Sequence, residues 1–248
     1  MHGRKETRMK IRNDITIVMA YYENGGMLQR HLLEWAQYPQ QYKDRLRAII
    51  VDDGSPNSPA SQCIEEVRNV GFPVSLFQIK TDIPWNQNGA RNLAMKHVDG
   101  WCFLTDIDHM LTGDQLPVLF DLKLKSNCHY LPLRRKAVTR EAYKRHPNTY
   151  ILHSDLYWSI GGFDEFYAGY YGTDSTFRNR LQKVSKRIEL DSLTTTLFGR
   201  EVIADASTVA YGRKGSEYHV SQNMEMNIRK KQCPHPIKPL NFKWERIL

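Results

Sequence analysis

The run WCFLTDIDHML, Trp101 to Leu111, carries an apolar, strand-like stretch straight into two aspartates one residue apart. One Asp at a strand end often starts a turn by bonding its own backbone, but two neighbouring carboxylates repel unless something positive sits between them. A hard divalent cation with oxygen ligands does that most directly. Asp106 and Asp108, at i and i+2, project to one side if the chain stays extended. Held by so few protein ligands, Mg2+ or Mn2+ keeps positions open for water and substrate phosphates. The pair therefore reads as a clamp for a nucleoside diphosphate.

Such a clamp needs a rigid support, and the first 106 residues have the rhythm of one. Short β-branched runs, DITIVMA, LRAIIVDD, PVSLFQI and WCFLT, alternate with helical stretches around MLQRHLLEWAQ, SQCIEEVRNV and NGARNLAMKHV. Strands alternating with helices imply a mainly parallel sheet covered on both faces, where ligands collect at the carboxyl ends of the strands. Both VDDGS and TDID fall at such ends. Beyond Asp114 the rhythm breaks: NCHYLPL reads as a strand, HSDLYWSIGGFDE as a helix ending in glycines, and DSTFRNRLQKV as a helix opening at Asp174. The expected organisation is a basic arm over 1–12, one domain over 13–212 and a basic tail or extension over 213–248.

Composition bounds the function classes. The 248 residues are 41% hydrophobic and 11% aromatic, enough to bury a full core and not the composition of a disordered or fibrous chain. No stretch approaches the roughly 20 consecutive apolar residues of a membrane span, and the N-terminus has no apolar signal core. Cys63, Cys102, Cys128 and Cys233 are widely spaced with no CxxC pair, which predicts reduced structural thiols. The expected setting is cytoplasmic. Net charge is +8 and sits at the ends: five Lys/Arg against one Glu in 1–12, and eight against three Glu in 213–248. Basic ends on a near-neutral body suit contact with an anionic partner, either nucleic acid or an acidic membrane surface. A second basic cluster, RRKAVTREAYKR, lies inside the body and could line an acceptor channel or form an exposed face.

The ordered motifs resemble the family-2-like inverting glycosyltransferases of the GT-A fold. DITIVMAYYEN is similar to that family's opening strand and turn, AIIVDDGSPNS to its second-strand acidic motif, NGARNLAMKH to its Ala-Arg-Asn helix, and FLTDIDHM to its metal motif. IGGFDEFYAGYYGTDSTFRNRL is similar to its acceptor and catalytic-base segment. The resemblance implies a Rossmann-like nucleotide-binding sheet and a donor that is a nucleoside-diphosphate sugar, with UDP-sugar expected. It makes Asp53 the contact to the uracil ring, Ala20 and Tyr22 the base pocket, and Arg91 a donor-site contact near the pyrophosphate. Asp106 would face the ribose or the metal, and Asp108 would be the direct Mn2+ or Mg2+ ligand. Asp174 matches the general base, with Asp164 of GGFDE a second candidate on the acceptor side. His219 has the position of a late third metal ligand, and His109 is its rival. One departure stands out: Thr173 occupies the place where the family usually has Glu, which puts the acceptor class in question.

Other classes explain less. A sugar-nucleotide nucleotidyltransferase would want a basic, glycine-rich phosphate loop after the first strand, where AYYENGGML offers two glycines and an acid. A dinucleotide-dependent oxidoreductase would want GxGxxG there. A nucleic-acid-binding module accounts for the basic ends but leaves Asp53, Asp106, Asp108 and Asp174 without a purpose. A transferase acting on an anionic acceptor, such as modified DNA or a lipid-linked glycan, joins the two lines of evidence.

Overall fold

A computed structural model describes residues 14–169, 174–207 and 240–248. The first half follows the expected alternation: β1 (Ile15–Tyr21), α1 (Gly25–Ala36), α2 (Gln40–Lys43), β2 (Leu46–Asp52), α3 (Ile64–Arg68), β3 (Val74–Ile79), α4 (Gln87–Met95) and β4 (Trp101–Asp106). A turn then leads to β5 (His109–Met110), α5 (Leu116–Asp121), β6 (Cys128–Lys136), β7 (Ala142–Tyr143), β8 (Tyr150–His153), α6 (Ser154–Ser159), α7 (Asp174–Val184), β9 (Lys186–Leu197) and β10 (Trp244–Arg246). The strand order is β10-β3-β2-β1-β4-β8-β6-β9-β5, with β7 paired to β6. β3, β2, β1 and β4 are mutually parallel, whereas β8 runs antiparallel between β4 and β6.

Period-two alternation along the central strands divides the core. Ile15, Ile17, Met19 and Tyr21 of β1, with Ala48 and Ile50 of β2 and Phe103 of β4, pack against Leu28, Leu32 and Trp35 of α1. Val18, Ile49, Val51, Cys102 and Leu104 face the other way, against Leu93 and Ala94 of α4, Tyr157 of α6, and Phe177 and Leu181 of α7. Burial on both faces explains why these strands read as near-continuous apolar runs. Cys63, Cys102 and Cys128 are buried free thiols.

Three elements depart from the expected pattern. The segment read as one helix from His153 holds only six helical residues, Ser154–Ser159: His153 itself ends strand β8, and the helix stops before the glycines. β9 is a twelve-residue strand not evident in the sequence. The extension expected from 213 includes, at its far end, β10, which pairs antiparallel with β3. Lys243 closes that junction: its N–H donates to Thr81 Oγ1 at 2.8 Å and its carbonyl accepts from the Lys80 N–H at 2.7 Å. The basic arm 1–12, Thr173, His219 and Cys233 lie outside the described residues.

The IGGFDE segment is held to α4 by Asn92, which is fully buried. Its side-chain oxygen accepts from Tyr157 Oη at 2.5 Å and the Phe163 N–H at 2.9 Å, and its Nδ2 donates to the Phe163 carbonyl at 2.8 Å and to Glu165 Oε1 at 2.7 Å. Gly162 makes this approach possible: its φ is +70°, and an added Cβ would sit 2.6 Å from Asn92 Oδ1 and 2.9 Å from Tyr157 Cε1. Gly162→Ala is therefore expected to cost at least about 2 kcal/mol in urea unfolding, from the left-handed backbone and the displaced Asn92 together. An unchanged midpoint would show that the segment repacks freely.

Candidate active site

Strand register assembles the site. Ala20 of β1 lies opposite Val51 on one side and Asp106 on the other, and Tyr21 lies opposite Asp52, so the carboxyl ends of β2, β1 and β4 share one rim. Asp53 follows β2 immediately, its N–H donating to the Tyr21 carbonyl at 2.9 Å. The adjacent acids have separate duties. Asp52 is 1% exposed and accepts the N–H groups of Ser55 and Ala60, each at 2.8 Å, which shapes the DGSP turn. Asp53 has a buried Oδ1 with no hydrogen-bond donor, and burial, together with Asp52 and Asp82, pushes its carboxyl well above the usual range. An orphaned buried acceptor at a strand-end rim suits a ligand N–H. Half-buried Ala20 and Tyr22 border the same rim.

The chain does not stay extended through the acid pair. β4 ends at Asp106 and a turn at Ile107 and Asp108 intervenes before β5. The Ile107 carbonyl is bonded by His31 Nε2 of α1 at 2.7 Å, and burial holds His31 down to about 4, so the neutral ring braces the turn from beneath. Beyond it, Asp108 Oδ1 lies 2.6 Å from His109 Nδ1, and Arg134 Nη1 lies 3.1 Å from His109 Nε2. Because a guanidinium only donates, His109 Nε2 accepts from Arg134 and Nδ1–H donates to Asp108. Both ring nitrogens of His109 are thus engaged within the protein. His146 stacks on His109 with ring centroids 3.9 Å apart and approaches Asp106 Oδ2 at 3.5 Å through Nε2.

Arg91 stands at the centre. It is 0% exposed, pairs with Asp106 Oδ1, packs over the Phe163 ring at 4.7 Å, and lies 4.0 Å from Asp174 Oδ1. The residue read as a contact near a pyrophosphate thus lies buried between two carboxylates. Burial raises Asp106, but the Arg91 charge, then His146 and His109, outweigh it and hold the carboxyl down to about 2. Asp174, at the first turn of α7, is pushed up by burial, with Arg91 opposing and Asp106 reinforcing the rise. Asn148 joins the two acids, its Nδ2 reaching Asp106 Oδ2 at 3.5 Å and its side chain hydrogen-bonding Asp174. Asp164, 5% exposed, caps the short turn Glu165–Tyr167 by accepting the Phe166 N–H at 3.1 Å, and its charge acts on Arg180 of α7.

Arg91, Asp106 and Asp174 are therefore brought together, with Asp53 and Asp108 on the same strand-end rim. His146, Asn148 and Arg134 belong to the group without having been singled out as site residues. They sit in and just after a basic run, and nothing in their spacing separates them from surface polar residues. Removing the central cation should be severe: Arg91→Ala leaves two half-buried carboxylates facing each other across an emptied site and is expected to cost about 3 kcal/mol in denaturant unfolding. A loss under about 1 kcal/mol would mean that water replaces the guanidinium.

The comparisons agree with this architecture. The model of the family described as Glycosyl transferase family 2 matches residues 16–187. No curated protein matches. Among solved structures, S. aureus TarS 1-349 in complex with UDP-GlcNAc aligns with a TM-score of 0.62 at 16% identity, over 87% of this chain and 66% of that one. The mannosyltransferase PcManGT from Pyrobaculum calidifontis, in complex with GDP-Man and Mn2+, aligns at 0.60 with 14% identity, over 93% and 67%. GalNAc-T7 with UDP, GalNAc and Mn2+ aligns at 0.61 with 12% identity, over 77% and 44%. Against TarS 1-349 alone the chain spans 63% of the neighbour, less than two thirds of its length. At these identities the likeness is one of fold. With its acid motifs at the carboxyl ends of a GT-A sheet and a family match over most of its length, the chain belongs to glycosyl transferase family 2.

Proposed function

We propose that the protein transfers a sugar from a nucleoside-diphosphate sugar, UDP-sugar by preference, to an acceptor hydroxyl with inversion, using Asp174 as general base. The observation that carries this reading is the arrangement around Arg91. One buried guanidinium separates an acid kept ionised, Asp106, from an acid raised toward neutrality, Asp174. Environments that push two carboxyls apart in this way give them different tasks. In the displacement, the acceptor oxygen bonds to the anomeric carbon as the bond to the phosphate oxygen breaks, and the hydroxyl proton passes to Asp174. A raised pKa makes Asp174 the better base, while the Arg91 charge opposes the rise and favours the ionised form.

On the donor side, the orphaned Asp53 Oδ1 supports contact with a base N–H, with Ala20 and Tyr22 bordering it. Asp106 and Asp108 are hard oxygen donors suited to Mn2+ or Mg2+, and Asp108 keeps a side chain 22% exposed. Among the described residues no group of three or more His, Cys, Asp or Glu forms a closed metal site. That fits a cation held by one or two carboxylates and completed by substrate phosphates. Bound there, the cation would offset charge on the leaving diphosphate. Structural neighbours in complex with UDP-GlcNAc, and with GDP-Man and Mn2+, support the same donor class. His219, the proposed late ligand, lies outside the described residues, and Asp164 is retained as a residue that shapes the acceptor side. Free buried thiols support a cytoplasmic setting, and among the described residues no helix is long and apolar enough to cross a membrane.

Two measurements test the reading. In isothermal titration, UDP is expected to bind roughly tenfold or more tightly with Mn2+ than with EDTA, and Asp108→Asn to close the gap. Equal affinity in both conditions would sink the acid-pair clamp. Asp174→Asn is expected to lower transfer by about 10²–10⁴-fold while leaving UDP affinity unchanged. Because a protonated carboxyl cannot act as base, kcat/KM of the parent should fall as pH drops through the raised Asp174 pKa. The acidic limb then lies above the ordinary value of about 4. A fully active Asp174→Asn removes that assignment.

A further inference from the structure

The hairpin of β6 and β7 is not used by the donor chemistry. Arg134 lies opposite Tyr143 and Arg135 opposite Ala142. The stretch 134–145 holds six Lys/Arg and a single acid, Glu141. Some of this charge is answered. Arg145 pairs with Glu189 at 3.0 Å and with Asp191, and Lys136 Nζ lies 3.8 Å from Glu141. Arg135, Arg140 and Lys144 are exposed, with no carboxylate within ion-pair distance among the described residues; Arg140 reaches Asp114 only through the longer-range field. Like charges gathered on one hairpin destabilise it, a cost that a bound polyanion would relieve.

The patch is wired to the site at both ends. At its base, Arg134 donates to His109, which donates to Asp108. On its return strand, Lys144 is followed by His146 against Asp106 and by Asn148 against Asp106 and Asp174. Four residues of backbone from Lys144 to Asn148 span at most about 14 Å. A chain-like acceptor lying on the hairpin is thus within reach of the base.

Resting on the transfer reading above, we propose that the β6–β7 hairpin docks the acceptor, and that the acceptor is a glycan chain carrying repeated phosphate or carboxylate groups. Nucleic acid fits less well. Single-strand binding alternates cations with a series of aromatic faces, whereas the paired strands of this hairpin expose one aromatic, Tyr143, with the Arg134 guanidinium 4.5 Å and Lys136 Nζ 5.5 Å from its ring.

The test uses the full chain and the triple variant Arg135→Ser, Arg140→Asn, Lys144→Ser. Asn is chosen at 140 because the backbone there has φ +60°. The probes are inorganic polyphosphate, polygalacturonate and a single-stranded DNA oligonucleotide, with UDP titrated in parallel. The variant is expected to bind polyphosphate or polygalacturonate about tenfold or more weakly, with a salt dependence flatter by roughly two in log–log slope. Whichever polyanion the parent prefers distinguishes phosphate from carboxylate. UDP affinity stays at the parental value. A parent that binds neither polyanion, or a variant that binds them as well as the parent, overturns the proposal; the second result moves the anion site to the basic ends of the chain. A loss confined to DNA overturns the glycan assignment in favour of nucleic acid. Failure of the parent to bind UDP counts against the donor reading instead and is read separately from the polyanion result.

Discussion

The site depends on one buried cation. Taking a guanidinium out of water costs several kcal/mol unless charge and hydrogen bonds replace the lost hydration. Arg91 meets that cost with Asp106, the more distant Asp174 and the face of Phe163. The converse holds for the acids: the Arg91 charge opposes the rise that burial imposes on both. The three groups form a unit in which each makes the burial of the others tolerable. It joins α4, β4 and α7, elements contributed by widely separated parts of the chain.

Around that unit, rigidity is graded. Parallel register aligns the ends of β1, β2 and β4 without help from side chains. The turn that carries Asp108 needs more support, and receives it from His31 below and from the stacked pair His109 and His146 beside it. A neutral ring suits His31, because it holds the backbone by a directional bond without adding a full charge beneath the acid pair. Asn92 does the equivalent on the acceptor side, using both ends of its amide to fix the segment before α7.

Much of this was legible in the sequence. The four apolar runs of the first half became β1 to β4 because burial on both faces leaves an unmistakable pattern. The acids fell at strand ends for the same reason. β9 escaped because its first half is mostly exposed and polar, KRIELDS, with little alternation to read. β8 went unread because its four residues are too short for a period to show, and the helix read from His153 ends earlier than expected, at Ser159. The assumption of an extended chain through Asp108 failed because a two-residue turn has no compositional signal in DID. Arg91 was recognised as a site residue, but its true neighbours, Asp106 and Asp174, lie 15 and 83 positions away, and only packing reveals which charges a buried guanidinium will meet.

The β3–β10 junction has a consequence for how the molecule is made. The Lys243 N–H and its Thr81 acceptor are separated by 162 positions, and Arg246 reaches Ser75 across 171. During synthesis β3 must therefore wait, one edge open, while nearly two thirds of the sequence is added. Contacts this remote in sequence form slowly, and an unpaired strand edge is a template for the wrong partner. Glu165 waits on the same segment, because its carboxylate accepts the N–H groups of Leu240 and Asn241. Closure of the sheet edge and completion of the acceptor-side support thus belong to one late folding event, so a nascent chain can hold an assembled donor rim before its acceptor side is complete.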